Sequence, residues 1–300
     1  MDNSYLKTIY QLLFFFLVFF CFTPSIFAQE TPDEEVYVSV KMLDGNKFFG
    51  KRIALTDTHL VIETSSIGKL NLELRNIKSI KEIGAPKIVE GEYWYETPNS
   101  TRNLFTPTGY SLEKGDAYYQ NLMLVYNQFS YGFSDRFTVG VGFEIISLLV
   151  GSNSPLFTIT PKYSIPLKEN QWNLGVGALI VGVPSTENFI DLGTLYATNT
   201  FGSKDTNLSI GLGFGITDGS FSERPILNIS GNARVSKRFG LLTENWILPF
   251  DGSSAGVFSF GIRIIGERMT WDFAFLGLSD SSDFNISPIP LVGILAQIGD

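Results

Sequence analysis

The sequence predicts an all-β protein, an antiparallel transmembrane β-barrel of about 12 strands preceded by a small β domain. Composition is the first reason. The 300 residues are 14% aromatic and 17% charged, with 29 Gly and 26 Phe, whereas a water-soluble chain carries ~25% charge. No segment after the N-terminus has the about 18 consecutive apolar residues of a membrane-spanning helix. The second reason is a persistent period of two. In residues 137–145, Phe137, Val139, Val141, Phe143 and Ile145 share one face of an extended strand, and Thr138, Gly140, Gly142 and Glu144 share the other. After Gly-Ser-Asn-Ser-Pro the pattern returns, with Phe157, Ile159, Tyr163 and Ile165 opposite Thr158, Thr160, Lys162 and Ser164. The third reason is that two kinds of connection alternate along the last two hundred residues, one tight and basic, the other longer and rich in Ser, Gly and Asp.

Taken in order, the chain begins with an apolar run from Leu12 to Phe22, preceded by Lys7 and followed by Pro24 and Phe27-Ala28-Gln29. A basic n-region, an apolar h-region and a small-residue exit predict a cleaved signal peptide over 1–29. Cys21, the one cysteine, lies inside it, so the mature chain holds neither disulfides nor thiolate metal sites, and no cofactor is expected. The net charge of −8 argues against nucleic-acid binding, which needs a basic face.

Residues 35–84 predict a small β domain of about five short strands, broken by turns at Asp44-Gly45-Asn46, Thr56-Asp57-Thr58 and Ser65-Ser66-Ile67-Gly68. Gly50 after the first hairpin, the strand Leu60-Val61-Ile62-Glu63-Thr64 and the closing Ile77-Lys78-Ser79-Ile80 resemble the Sm-like and SH3-like small barrels. The turn that would contact RNA in an Sm protein holds Asp57, Thr58 and His59 instead, so the domain reads as a periplasmic interaction or scaffold module, an interaction module docking a periplasmic protein partner. His59, the only histidine, reads as a solvated turn residue. Residues 85–100, with Pro86, Pro98, three glutamates and Tyr93-Trp94-Tyr95, read as a linker whose aromatics serve as an interfacial anchor or a packing patch.

Residues 101–300 carry the barrel. Strands are expected near 101–107, 118–130, 136–149, 156–166, 171–183, 188–201, 206–217, 225–236, 240–249, 256–265, 268–278 and 286–298. The tight basic turns around Arg136, Lys168, Lys204, Lys237 and Arg268 should face the periplasm, and the longer loops the outside. A repeated Gly-x-Gly, at Gly140, Gly175 and Gly211, places glycines on the lumen face, where they let the sheet curve and side chains approach, or clear a permeation path. The lumen face also carries Glu144, Lys162, Arg234, Glu244, Arg263 and Asp272. Charges in a narrow, partly desolvated interior must pair, which gives either a salt-bridge network that fills the lumen or a selectivity constriction. Residues 241–250 fit the alternation poorly and suggest a bulge.

From Arg102 onward the pattern, and phrases such as Tyr131-Gly132-Phe133-Ser134-Asp135-Arg136, resemble bacterial outer-membrane β-barrel proteins. The resemblance implies a non-enzymatic barrel in outer-membrane lipid, either a narrow pore for small solutes or a filled structural barrel, with the small domain in the periplasm. No nucleophile–base pair, metal cluster or phosphate loop can be assembled from the sequence. The alternative is a secreted soluble two-domain β protein that binds a ligand or partner.

Overall fold

The computed structural model describes residues 36–64, 67–83, 88–89, 92–150, 156–182, 192–217, 219–250, 253–279 and 288–298. The expected signal peptide and most of the longer loops, including Gly-Ser-Asn-Ser-Pro and Pro-Ser-Thr-Glu-Asn, lie outside them. The chain divides between Glu96 and Thr97 into two compact units.

In the first unit, β1 (Tyr37–Met42), β2 (Lys47–Leu55), β3 (His59–Thr64), β4 (Gly68–Glu73) and β5 (Ile77–Ile83) form an antiparallel sheet in the order β4-β3-β2-β1-β5. Alternation turns Val38, Val40, Leu60, Ile62 and Leu72 inward as one apolar core. Gly50 is required by close approach, because a Cβ there would lie 2.4 Å from the Glu63 carbonyl oxygen. A short ribbon follows, β6 (Ile88–Val89) with β7 (Glu92–Tyr93). Tyr93 stacks on Phe49 at 4.7 Å, and Phe49 on Tyr37 at 5.7 Å, so part of the aromatic cluster expected in the linker is a packing patch on this sheet. His59, expected in a turn, is the first residue of β3, paired with Glu73, with Nδ1 2.8 Å from Thr58 Oγ1.

The second unit is a closed barrel. Its strands are β8 (Ala117–Leu122), β9 (Tyr126–Ser134), β10 (Phe137–Glu144), β11 (Phe157–Lys168), β12 (Trp172–Gly182), β13 (Leu192–Gly202), β14 (Thr206–Thr217), β16 (Ile226–Arg234), β17 (Phe239–Phe250), β18 (Ser253–Ile265), β19 (Met269–Ser279) and β20 (Ile289–Ile298). The two-residue β15 (Ser220–Phe221) extends a hairpin on β14, and a short helix α1 (Ile145–Leu149) follows β10. Every pairing is antiparallel, and β20 pairs with β8 to close a ring of twelve strands.

The expected number of strands is met by different strands. Residues 101–107 are not part of the wall. The expected strand 118–130 is instead two strands joined by a tight turn at 123–125. Met123 and Leu124 hold positive φ there, 54° and 62°, without the Gly or Asn that usually marks such a turn. Asn121 supplies the missing support, its Oδ1 accepting the Leu124 amide at 3.0 Å. The expected bulge in 241–250 is absent. Strand β17 pairs with β16 and β18 without a register shift, Glu244 and Trp246 sharing one face and Asn245 the other. Asn245 Nδ2 donates to the Ile229 carbonyl at 3.2 Å and to Thr243 Oγ1 at 3.1 Å, so an outward amide stays satisfied.

Outward positions are apolar and exposed around the ring: Val141, Ile159, Val176, Leu195, Ile210, Ile262 and Phe273 among them. Close to the tight turns the outer side chains become aromatic, with Phe133, Phe137, Trp172, Phe201, Phe239 and Trp271. Trp172 stacks on Phe201 at 5.8 Å, and Tyr131 meets Phe133 edge-on at 5.0 Å. Inward positions are polar, as Thr158, Thr198, Thr200, Ser209, Ser230 and Asn232 show. An apolar outer band with an aromatic girdle around a polar interior is the wall of a transmembrane barrel.

Gly50→Ala should disturb the first unit alone. Forcing a methyl group against the Glu63 carbonyl is expected to destabilise that sheet by about 1–3 kcal/mol, read as an earlier urea transition, while the heat-dependent gel shift of the barrel stays unchanged.

Candidate functional site

The first residues of the second unit fold inside the barrel. Asn103 N donates to Thr106 O at 2.9 Å and Thr108 N to Thr101 O at 2.9 Å, and Arg102 bridges Pro107, which makes 101–108 a tight hairpin with its tip at 103–106. Proline at 107 and the short Asn-Leu-Phe tip suit a turn better than a wall strand. The return leg runs down the interior. Gly109 N donates to Thr200 Oγ1 of β13 at 2.7 Å, Leu112 N to Thr138 Oγ1 of β10 at 3.1 Å, and Gly115 N to Gly132 O of β9 at 2.9 Å, before the chain enters β8. Asn99, Asn103, Leu104 and Thr108 are fully buried. Residues 97–116 are therefore a plug, held from nearly every side of the ring.

The expected lumen charges hold that plug. Glu244, on the inner face of β17, accepts three consecutive backbone amides of the tip on Oε2: Leu104 at 3.0 Å, Phe105 at 3.0 Å and Thr106 at 2.9 Å. Its Oε1 takes the Trp246 indole N–H at 2.9 Å. Successive N–H groups converging on one carboxylate form an anion nest. Lys162, on β11, does the converse: its Nζ donates to the carbonyls of Thr101 (2.9 Å), Thr108 (3.2 Å) and Tyr110 (2.5 Å). Arg263 and Asp272 stand opposite each other in register on β18 and β19 and form a bidentate pair, Nε to Oδ1 at 2.7 Å and Nη2 to Oδ2 at 2.9 Å. The same Nη2 donates to Asn103 O at 2.6 Å.

The other two expected residues stand apart. Arg234 staples two tight turns, donating to Asp205 Oδ1 at 2.8 Å and to Lys237 O at 2.7 Å. Glu144 keeps its lumen parity at the far end of β10, but its carboxylate accepts the amides of Ile146 and Ser147 and caps α1. The lumen also has an apolar sector that the sequence reading did not contain: Leu104 of the tip packs among Leu242, Leu276, Ala274 and Leu291. Arg102 was missed altogether, because residues 101–107 read as wall.

Beyond the tip, in the half of the barrel nearer the longer loops, lies a cavity of about 390 Å³. Arg102, Phe105, Thr106 and Pro107 of the plug form one side, and Tyr126, Gln128, Thr158, Tyr196, Asn228 and Trp246 are among the wall residues that form the rest. Tyr126 Oη bonds Thr158 Oγ1 at 2.6 Å, and Gln128 Nε2 donates to Ser130 Oγ at 3.0 Å and Thr160 Oγ1 at 3.1 Å. The two tyrosines lie over glycines. A Cβ at Gly142 would fall 2.4 Å from Tyr126 Oη, and one at Gly177 would fall 2.5 Å from Tyr196 Oη. The repeated glycines thus shape the cavity by seating its tyrosines.

No family model matches the chain, and no curated protein matches it. Among solved structures, a NanC porin is 11% identical and covers 62% of this chain and 99% of its own, with a TM-score of 0.39. OccAB4 of Acinetobacter baumannii is 8% identical over 88% of this chain and 96% of its own, with a TM-score of 0.35. OmpT of Vibrio cholerae is 12% identical over 91% and 99%, with a TM-score of 0.31. Likeness at this level carries no argument about the site.

Hydrogen bonds to a charged acceptor contribute about 1.5–3 kcal/mol each. Glu244→Gln should therefore loosen the tip while leaving the wall intact. The amides of Leu104, Phe105 and Thr106 are expected to exchange with deuterium at least about 10-fold faster than in the wild type. Unchanged exchange there would mean that the tip is held without the carboxylate.

Proposed function

We propose that the chain is a non-enzymatic outer-membrane β-barrel for small solutes, with a solute cavity in its loop-side half and a plug, residues 97–116, across its tight-turn half. One observation carries this reading: the plug is gripped through its backbone by wall charges, while a cavity is left above its tip. A barrel built only as a solid pillar would have no use for such a chamber. The plug makes the resting conductance low, and its displacement opens the path.

The first unit takes the Sm-like or SH3-like role in this proposal. Its strand order, with β5 returning beside β1, and its Gly50 crossing support that likeness. It would serve as a docking module for a protein partner in the periplasm. A filled structural barrel is the second reading, favoured by the burial of the plug.

The test is planar-bilayer conductance of the detergent-extracted barrel, after a heat-dependent gel shift has established that it is folded. Wild type should conduct weakly, and a Glu244→Gln/Lys162→Gln double variant should conduct several-fold more. Equal, negligible conductance in both proteins, each with a normal heat shift, would favour the structural barrel. Recovery of the wild type without detergent and without a heat shift would sink the membrane reading.

A further inference from the structure

The buried cations of the barrel are not treated alike. Arg263 has Asp272, and Arg234 has Asp205. Arg102, only 9% exposed, has no carboxylate within ion-pair distance among the described residues. Its Nε and Nη2 both donate to a single neutral acceptor, Tyr118 Oη, at 3.0 and 2.7 Å. Its Nη1 makes no hydrogen bond to any described residue, and the side chain lines the cavity. A guanidinium out of bulk water without a counter-charge is costly.

The rest of the cavity leans the same way. Lys162 also lines it, and with all three of its N–H groups committed to plug carbonyls it contributes charge without free donors. No Asp or Glu is among the described residues that line it. Glu244 is turned under the plug tip, where the three amides and the Trp246 indole occupy it. The remaining lining mixes hydroxyl, amide and aromatic groups with aliphatic ones from Leu179, Leu212 and Ile226. The hydroxyls of Thr106 and Thr198 are buried without a partner among the described residues, and Trp246 and the half-exposed Phe105 add aromatic rings to the lining.

We propose that this cavity binds a small hydroxylated carboxylate of sugar-acid type, its carboxylate on Arg102 and its hydroxyls on the threonine and tyrosine wall. The guanidinium fork takes a carboxylate oxygen on Nη1. Aromatic rings and hydroxyls suit a polyhydroxylated body, and a volume of about 390 Å³ accommodates one hexose-sized molecule. The inference rests on the barrel reading above, but not on conduction.

Trp246 is the tryptophan that lines the cavity, so its fluorescence reports occupancy. The full chain in detergent is titrated at fixed ionic strength with sodium glucuronate, glucose and sodium sulfate. Glucuronate should give a saturable change that Trp246→Phe abolishes, with glucose and sulfate each binding at least about 10-fold more weakly. Arg102→Gln should weaken glucuronate by at least about 10-fold, the loss expected for one charge-assisted hydrogen bond, with the heat shift retained. Equal binding of glucose and glucuronate would overturn the proposal, as would sulfate matching glucuronate or an Arg102→Gln protein that binds unchanged. If the variant does not fold, the wild-type comparison of glucuronate with glucose decides. A normal heat shift with no glucuronate binding sinks this inference and leaves the barrel standing. Loss of the heat shift in the wild type sinks the barrel reading itself.

Discussion

A charged side chain turned into a narrow barrel must find a partner inside it, and in this chain the main partner is a stretch of backbone. Glu244 and Lys162 are far from being each other's counter-ion. The first takes three amides of the plug tip, and the second gives to three plug carbonyls. The peptide group, a donor on one side and an acceptor on the other, thus answers both signs with the same twenty or so residues. Removing either wall charge leaves several buried backbone groups unsatisfied, and removing the plug leaves two buried ions. The barrel and its filling therefore stabilise one another, and the cavity exists because the tip stops partway up the lumen.

The wall was legible because its physics is periodic. One apolar face against lipid imposes a period of two on every strand, and residues such as Phe137, Val139 and Val141 obey it without help from distant contacts. Five of the connections announced themselves by polar and basic residues, and the lumen parity of Lys162, Glu244, Arg263 and Asp272 followed from counting. Two signals failed for definite reasons. Residues 101–107 alternate well enough to pass for a strand, but their partners are side chains 16 to 160 residues away, from Tyr118 to Arg263, and nothing local marks them as internal. The turn at 123–125 was silent because Met123 and Leu124 adopt a backbone conformation that sequence readers assign to Gly or Asn.

The pairing of Arg263 with Asp272 shows the limit from the other direction. These two sit opposite each other on adjacent strands and pair. Glu144 instead gives its carboxylate to the amides of Ile146 and Ser147, two and three residues along its own chain. Short-range capping satisfies a carboxylate at a strand end as well as a long-range pair does. Position along the strand, in addition to face, decides which outcome a lumen charge has.

The closure of the ring between β8 and β20 constrains how the molecule can be assembled. The plug is made immediately before β8, yet Glu244 and Arg263, which grip its tip, lie on β17 and β18, near the other end of the barrel sequence. Until those strands arrive, the tip at 103–106 lacks Glu244 and Arg263, and only the base of the hairpin has its Lys162 partner. Once β20 zips onto β8, the hairpin can no longer be threaded in through the wall. Seating of the tip then falls in the same late stage as sealing of the seam, and the native register of the last hairpins is checked against a segment that has waited since the start of the barrel.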